Sequence, residues 1–431
     1  MKAVIHIGTA KTGTTTIQKF LGKNRKNLKT QNIFIPAGNN HTTLAAATFI
    51  SALREPLVQY PVIHTLGIPW FAHHTLKKGF TVTDQNELWE QMRHEIETNC
   101  RKDDLVIFSC EGFAEFAAQE VERVKELLDS LFDDITVVLY VRRQPEAQVS
   151  YYNTICGAGL SWNFSDHMKM TGPFGCPFLD YHSYDKIVKR WSIFGKNKLK
   201  IRVFDKQAFH ENDLLSDFAL TAGFGMAGLE CIKDANVSMG SAETEFLRLL
   251  NPYIPRKFDP WTYNTDRGRV KSCFKKIESK ADDKKGYYLN RDEARQILDQ
   301  YREGNDWVAR EYLGKEKLFD EDVSMYPVEV TAPHHLTLER SIEISAELVK
   351  YHALEIQNRD TKIQHQQAEV QRLQTKIQSR DVKIQRLQTE IQRLLHRRSK
   401  RLSYRCKALL TWLKRQSRRS KTLPSPPPCL F

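Results

Sequence analysis

The chain has 431 residues, of which 41% are hydrophobic, so it has room for one large α/β domain with an appendage and is not a wholly disordered protein. Its formal charge is +13, but eleven Lys or Arg and no Asp or Glu lie between His396 and Phe431, which leaves the rest near balance and argues against a specific nucleic-acid binder. Eight cysteines without a CxxC pair imply reduced thiols, and no apolar run reaches the roughly 18 residues of a spanning helix, so a cytoplasmic protein is expected.

Val4-Ile5-His6-Ile7 predicts a first strand, and a signal peptide is not expected because the fold already begins there. The strand runs into Gly8-Thr9-Ala10-Lys11-Thr12-Gly13-Thr14-Thr15-Thr16, and a helix is predicted from Ile17 to about Lys29. A glycine-flanked, hydroxyl-rich loop with one lysine, placed between strand and helix, is an anion cradle: loop amides, the helix N-terminus and the lysine converge on one place. It departs from the nucleotide triphosphatase loop, where Lys directly follows the second Gly, since here Gly13 is followed by Thr14 and Lys11 lies two positions before it.

Asn32 to Pro36 reads as a second strand or a sheet edge, followed by a loop carrying His41 and a helix from Leu44 to Leu53. Glu55 to Phe80 reads as loop. A helix over Gln85–Cys100 precedes a strand, Leu105-Val106-Ile107-Phe108-Ser109, with Glu111 just past its end. A helix from Ala118 to Leu131 then leads to the strand Ile135–Val141, which ends in Arg142-Arg143. Near-continuous apolar strands alternating with helices predict a parallel sheet covered on both faces, and ligands collect at the carboxyl ends of such strands. A helix through Trp191, a strand Leu199–Phe204, and helices over Asp213–Leu220, Ala242–Leu250 and Arg291–Leu313 complete the predicted α/β region, with His6 packed against the sheet.

The order Lys-Thr-Gly-Thr-Thr-Thr at Lys11–Thr16 resembles the 5′-phosphosulfate loop of sulfotransferases, in particular the bacterial sulfotransferase-like proteins. That family places an Arg at the end of a later strand and a Ser eight residues on, a spacing matched by Arg142 and Ser150, with Arg143 as a second guanidinium. The resemblance covers about residues 1–320 and implies a P-loop-type α/β fold. It also implies 3′-phosphoadenosine 5′-phosphosulfate as donor, no metal, and a hydroxyl or amine of a carbohydrate or glycolipid as acceptor. Lys11, Thr12, Gly13, Thr14, Thr15 and Thr16 would hold the 5′ end, and Arg142, Arg143 and Ser150 the 3′-phosphate. Lys11, His41 and Glu111 are the catalytic candidates, with His41 or Glu111 as general base. Two other readings stand beside this one: a nucleotide kinase or triphosphatase of the same fold, and a non-catalytic nucleotide-binding scaffold.

The α/β domain is expected over 1–325 and a linker over 326–348. Over 349–396, Ile356, Ile363, Val370, Ile377, Ile384 and Ile391 recur every seven residues, with Leu373, Leu387 and Leu394 three positions after some of them. This pattern predicts a coiled coil and a homodimer or trimer. Residues 397–431 read as a basic, partly disordered tail whose interleaved leucines suit peripheral contact with an anionic membrane.

Overall fold

In the computed structural model the described residues are 1–36, 42–48, 82–171, 182–232, 240–254, 270, 288–330 and 336–419. His41, the 55–80 loop and part of the loop after Gly157 lie outside them. The chain forms two units, Met1–Val349 and Lys350–Phe431.

The first unit is built on a parallel sheet. Its strands are β1 (Lys2–His6), β2 (Ile33–Phe34), β3 (Leu105–Ser109), β4 (Asp134–Val141) and β5 (Leu199–Val203), in the order β2-β3-β1-β4-β5. In β1, His6 is level with Ser109 on one side and Val138 on the other, so β1 is central. Alternate residues of each strand serve opposite faces. Ala3, Ile5 and Ile7 join Phe108, Leu139 and Trp191 in one buried layer, while Val4 joins Ile17, Phe20, Val138, Tyr140 and Phe218 in the other. This is the α/β architecture of a P-loop-type fold, with strands buried on both faces as their unbroken apolar runs require.

Helices α1 (Thr14–Lys23), α2 (Arg25–Thr30), α3 (Thr42–Thr48), α4 (Val82–Asn99) and α5 (Ala118–Asp129) fall within the first part of the unit. After β4 come α6 (Gln144–Ala158), α7 (Phe164–Thr171) and α8 (Tyr184–Trp191), and after β5 come α9 (Leu214–Ala222), α10 (Ser241–Leu250) and α11 (Arg291–Val308). The helix predicted over Ile17–Lys29 is instead two helices broken at Asn24. The Asn24 side chain donates to the carbonyls of Phe20 and Glu230, at 3.0 and 2.9 Å, and accepts from the Glu230 amide at 2.8 Å. A side chain committed to backbone groups in this way competes with helix continuation.

A third buried cluster joins Tyr152 and Ile155 of α6 to Phe164, Ile297, Val323 and Tyr326. The Tyr326 hydroxyl donates to Glu146 at 2.9 Å, so the start of the range read as linker is tied to the sheet domain. The last helix, α12 (Leu338–Arg419), begins within that range and continues into the range read as a basic tail. Its first turn is anchored: Arg340 pairs with the fully buried Glu243 of α10 at 2.6 Å, and Ile344 is buried. From Ile356 to Ser417 the helix is exposed, Ile363, Ile377 and Leu387 included. Among the described residues no helix is long and apolar enough to cross a membrane. Cys100, Cys110, Cys156, Cys231 and Cys406 carry free thiols, and burial pushes the Cys110 thiol up to about 12.

Candidate active site

The loop between β1 and α1 is fixed by its own backbone geometry. Gly8, Lys11 and Gly13 all take left-handed φ values, of 44°, 70° and 76°. At Gly13 a side chain is also excluded sterically, because a Cβ would stand 2.3 Å from Leu214 Cδ2 and 3.0 Å from Phe204 Cε2. Two hydroxyls brace the turn: Thr9 Oγ1 donates to the Tyr140 carbonyl at 3.0 Å and Thr12 Oγ1 to the Thr9 carbonyl at 2.7 Å. Helix α1 starts at once, with Thr16 and Ile17 donating to the Gly13 carbonyl, so the unpaired first-turn amides lie at the loop. Thr14 Oγ1 is buried with no hydrogen-bond partner, a donor left over inside the cradle.

Beneath the loop, His6 Nδ1 meets Ser109 Oγ at 2.8 Å, Gln18 donates to the Ser109 carbonyl at 3.0 Å, and the His6 ring lies edge-on to Tyr140 and Phe218. His6 is therefore a packed sheet residue, as its place in the strand suggests. Ser109 ends β3, and Glu111 opens the short turn after it. Glu111 is exposed as a residue, while the surrounding protein withdraws its carboxyl group in part from solvent. That desolvation raises its pKa, and the charge of Lys11 acts in the opposite direction. The carboxylate and the ammonium are therefore close enough to act on each other through charge.

The third side of the crevice comes from the end of β4. Arg142 Nη1 donates to the Lys11 carbonyl at 3.2 Å, and its guanidinium lies 5.6 Å from the centre of the Phe204 ring. The Arg142 backbone is clamped by Tyr184, whose hydroxyl accepts from the Arg142 amide at 3.1 Å and donates to its carbonyl. Burial works against the charge of Arg142 and lowers its pKa. A partly desolvated guanidinium that holds a carbonyl and a ring, with the charge of Glu146 acting on it from nearby, can still receive an anion.

Arg143 is differently placed. It donates to the carbonyls of Asp320 and Asp322, at 2.7 and 2.6 Å, and pairs with Glu146. Its guanidinium ties the chain after α11 to the start of α6. Ser150 is half-buried in the second turn of α6, and its carbonyl accepts from Thr154 Oγ1 at 3.1 Å. Among the described residues no hydrogen bond joins Ser150 to Arg142. Gln148, on the same helix, is buried with an unpartnered Oε1.

The structure thus brings together Lys11, Thr12 to Thr16, Glu111 and Arg142, sets Ser150 on the adjoining helix, and engages Arg143 elsewhere. His41 lies outside the described residues. Sequence reasoning missed Phe204 and Tyr184, which set the position of Arg142. Phe204 directly follows β5, the neighbour of β4, so the strand order was the available signal. Among the described residues no group of three or more His, Cys, Asp or Glu could hold a metal ion.

No family model matches the chain. An uncharacterized protein of Archaeoglobus fulgidus is 24% identical over 242 residues, which is 55% of this chain, and the match spans 62% of that relative's length. Among solved structures, a sulfotransferase from Alicyclobacillus acidocaldarius is similar over 57% of this chain and 93% of its own, with 15% identity and a TM-score of 0.35.

Proposed function

We propose that the chain is a sulfotransferase that moves a sulfuryl group from 3′-phosphoadenosine 5′-phosphosulfate to a hydroxyl or amine of a carbohydrate or glycolipid. The observation that carries this reading is the bond from Arg142 to the Lys11 carbonyl, which joins two cationic anchors at the carboxyl ends of adjacent parallel strands. A donor with phosphate at both ends needs two such anchors. A triphosphate in one cradle does not.

In this reading the amides and hydroxyls of Thr12 to Thr16 hold the 5′-phosphate, with Thr14 Oγ1 gaining the partner it otherwise lacks. Arg142 and Ser150 hold the 3′-phosphate, and Arg143 braces the strand end. The acceptor oxygen or nitrogen forms a bond to sulfur while the bond from sulfur to the bridging oxygen breaks. The electron pair leaves on adenosine 3′,5′-bisphosphate, where Lys11 neutralises the growing charge. The acceptor proton passes to a general base, His41 or Glu111. A carboxylate whose pKa is raised by desolvation suits that role.

The test is calorimetric titration with adenosine 3′,5′-bisphosphate, using AMP as control. Micromolar binding that requires the 3′-phosphate, proceeds without magnesium and falls roughly a hundredfold in Arg142→Ala is expected, since charge-assisted bonds contribute about 1.5–3 kcal/mol each. Equal affinity for AMP, or binding of ATP only with magnesium, refutes the reading and favours a kinase or triphosphatase.

A further inference from the structure

The end of α12 differs in kind from the stretch before it. From Ile356 to Ile391 the apolar rhythm is heptad, and its continuation requires apolar residues at 398 and 401, which are Arg398 and Arg401. Of the later heptad positions Ala408 and Trp412 stay apolar, but the leucines fall one position later, at Leu402, Leu409 and Leu413, with Cys406 between them. At about 100° per residue that displacement turns the stripe away from the upstream seam. A helix seated on the Ile356–Ile391 stripe therefore does not cover the terminal one.

Together with Leu395 and Leu410, this second stripe occupies an arc of about 100°. The leucines are exposed along it. All eight Lys and Arg between His396 and Ser417 lie outside that arc, with no Asp or Glu among them. The upstream coil is different, since it carries Glu355, Asp360, Glu369, Asp381 and Glu390 among its basic residues. Two copies of the terminal stretch laid together would gather positive charge with nothing to offset it. A nucleic acid would take the charge but leave the leucines in water.

We propose that residues 395–417 form an anionic-membrane-binding helix, lying in the lipid interface with Leu402, Leu409 and Leu413 in the acyl boundary and the basic residues on the headgroups. Binding by this helix does not depend on the chemistry of the donor crevice. It places the protein where an amphiphilic acceptor would be held in the same surface.

The experiment is co-sedimentation of the full chain with vesicles of phosphatidylcholine containing one quarter phosphatidylglycerol, against phosphatidylcholine alone, with circular dichroism as folding control. Partitioning at least about tenfold stronger onto the anionic vesicles is expected. Replacing Arg397, Lys400, Arg401 and Arg405 by Gln should weaken it by roughly 600-fold, at about fivefold per basic residue. The deciding variant is Leu409→Gln with Leu413→Gln, which leaves the net charge unchanged and should lose binding at least tenfold. Equal binding to neutral vesicles overturns the proposal. So does a leucine variant that binds like the parent while a single-stranded oligonucleotide competes for the site, which identifies a polyanion contact. A leucine variant that changes only the oligomeric state in light scattering, with vesicle binding intact, also overturns it and assigns the stripe to a second copy.

Discussion

The loop after β1 and the stretch of α12 beyond Lys350 are both rich in polar residues, but they satisfy them in opposite ways. Around the loop nearly every group is answered from far along the chain: Thr9 by Tyr140, Arg142 by Tyr184 and Phe204, and Gln18 by Ser109. Thr14 Oγ1, left over there, is therefore informative about a ligand. Along the helix the side-chain bonds are local, such as Thr375 to the Gln371 carbonyl and Arg359 to Glu355, and the apolar stripe is exposed. One region is specified by tertiary contacts and the other by a pattern waiting for something outside the chain. A substitution should therefore be costly in the first and nearly silent, for folding, in the second.

The largest effect is expected where the start of α12 is anchored to the sheet domain. Arg340→Met removes the ion pair made by the fully buried Glu243, which should cost about 3–5 kcal/mol in urea denaturation of the sheet domain. The double variant with Glu243→Leu should recover most of that loss; no recovery would mean that packing, not charge, anchors the helix. Next comes Gly13→Ala. A left-handed φ and the contact with Leu214 should together cost roughly 2–4 kcal/mol, and adding Leu214→Ala should return only the steric part.

A smaller effect follows from His167, buried among Tyr152, Phe164 and Tyr151, whose pKa is lowered to about 4 by burial and by the nearby His182. A base with a depressed folded pKa is fully tolerated above its ordinary value of 6.5 and destabilises the fold as pH falls toward about 4. Stability should be ~2 kcal/mol lower at pH 5 than at pH 8 from this group, and His167→Phe should remove that part of the slope. His182, lowered for the same reason, would supply what remains. The smallest effect is the most direct test of the contrast: Ile377→Asn should leave unfolding of the sheet domain unchanged within about 0.5 kcal/mol. A shift above 1 kcal/mol would show that the helix stabilises the domain and that the contrast is wrong.

The inner strands were legible because parallel strands buried on both faces are apolar over most of their length, and Leu105–Ser109 is a strand in the structure as read. The cradle was legible for a related reason, since Gly13 at a left-handed turn leaves little choice of residue. The break at Asn24 was not, because its cause is Glu230, more than 200 positions away. The different placements of Arg142 and Arg143 were hidden for the same reason. Local sequence makes them equivalent, and only the approach of Phe204 on one side and of Asp320 and Asp322 on the other separates them.

The strand order also has a consequence for synthesis. The central strand is translated first, but its partners on either side are Leu105–Ser109 and Asp134–Val138, so its two edges are completed only after more than a hundred further residues emerge. At about 5–20 residues per second that is on the order of ten seconds during which Val4, Ile5 and Ile7 have no sheet to join. For that interval the segment that leads into the lysine loop is an unpaired hydrophobic stretch, and its protection falls to the ribosome and chaperones rather than to the fold.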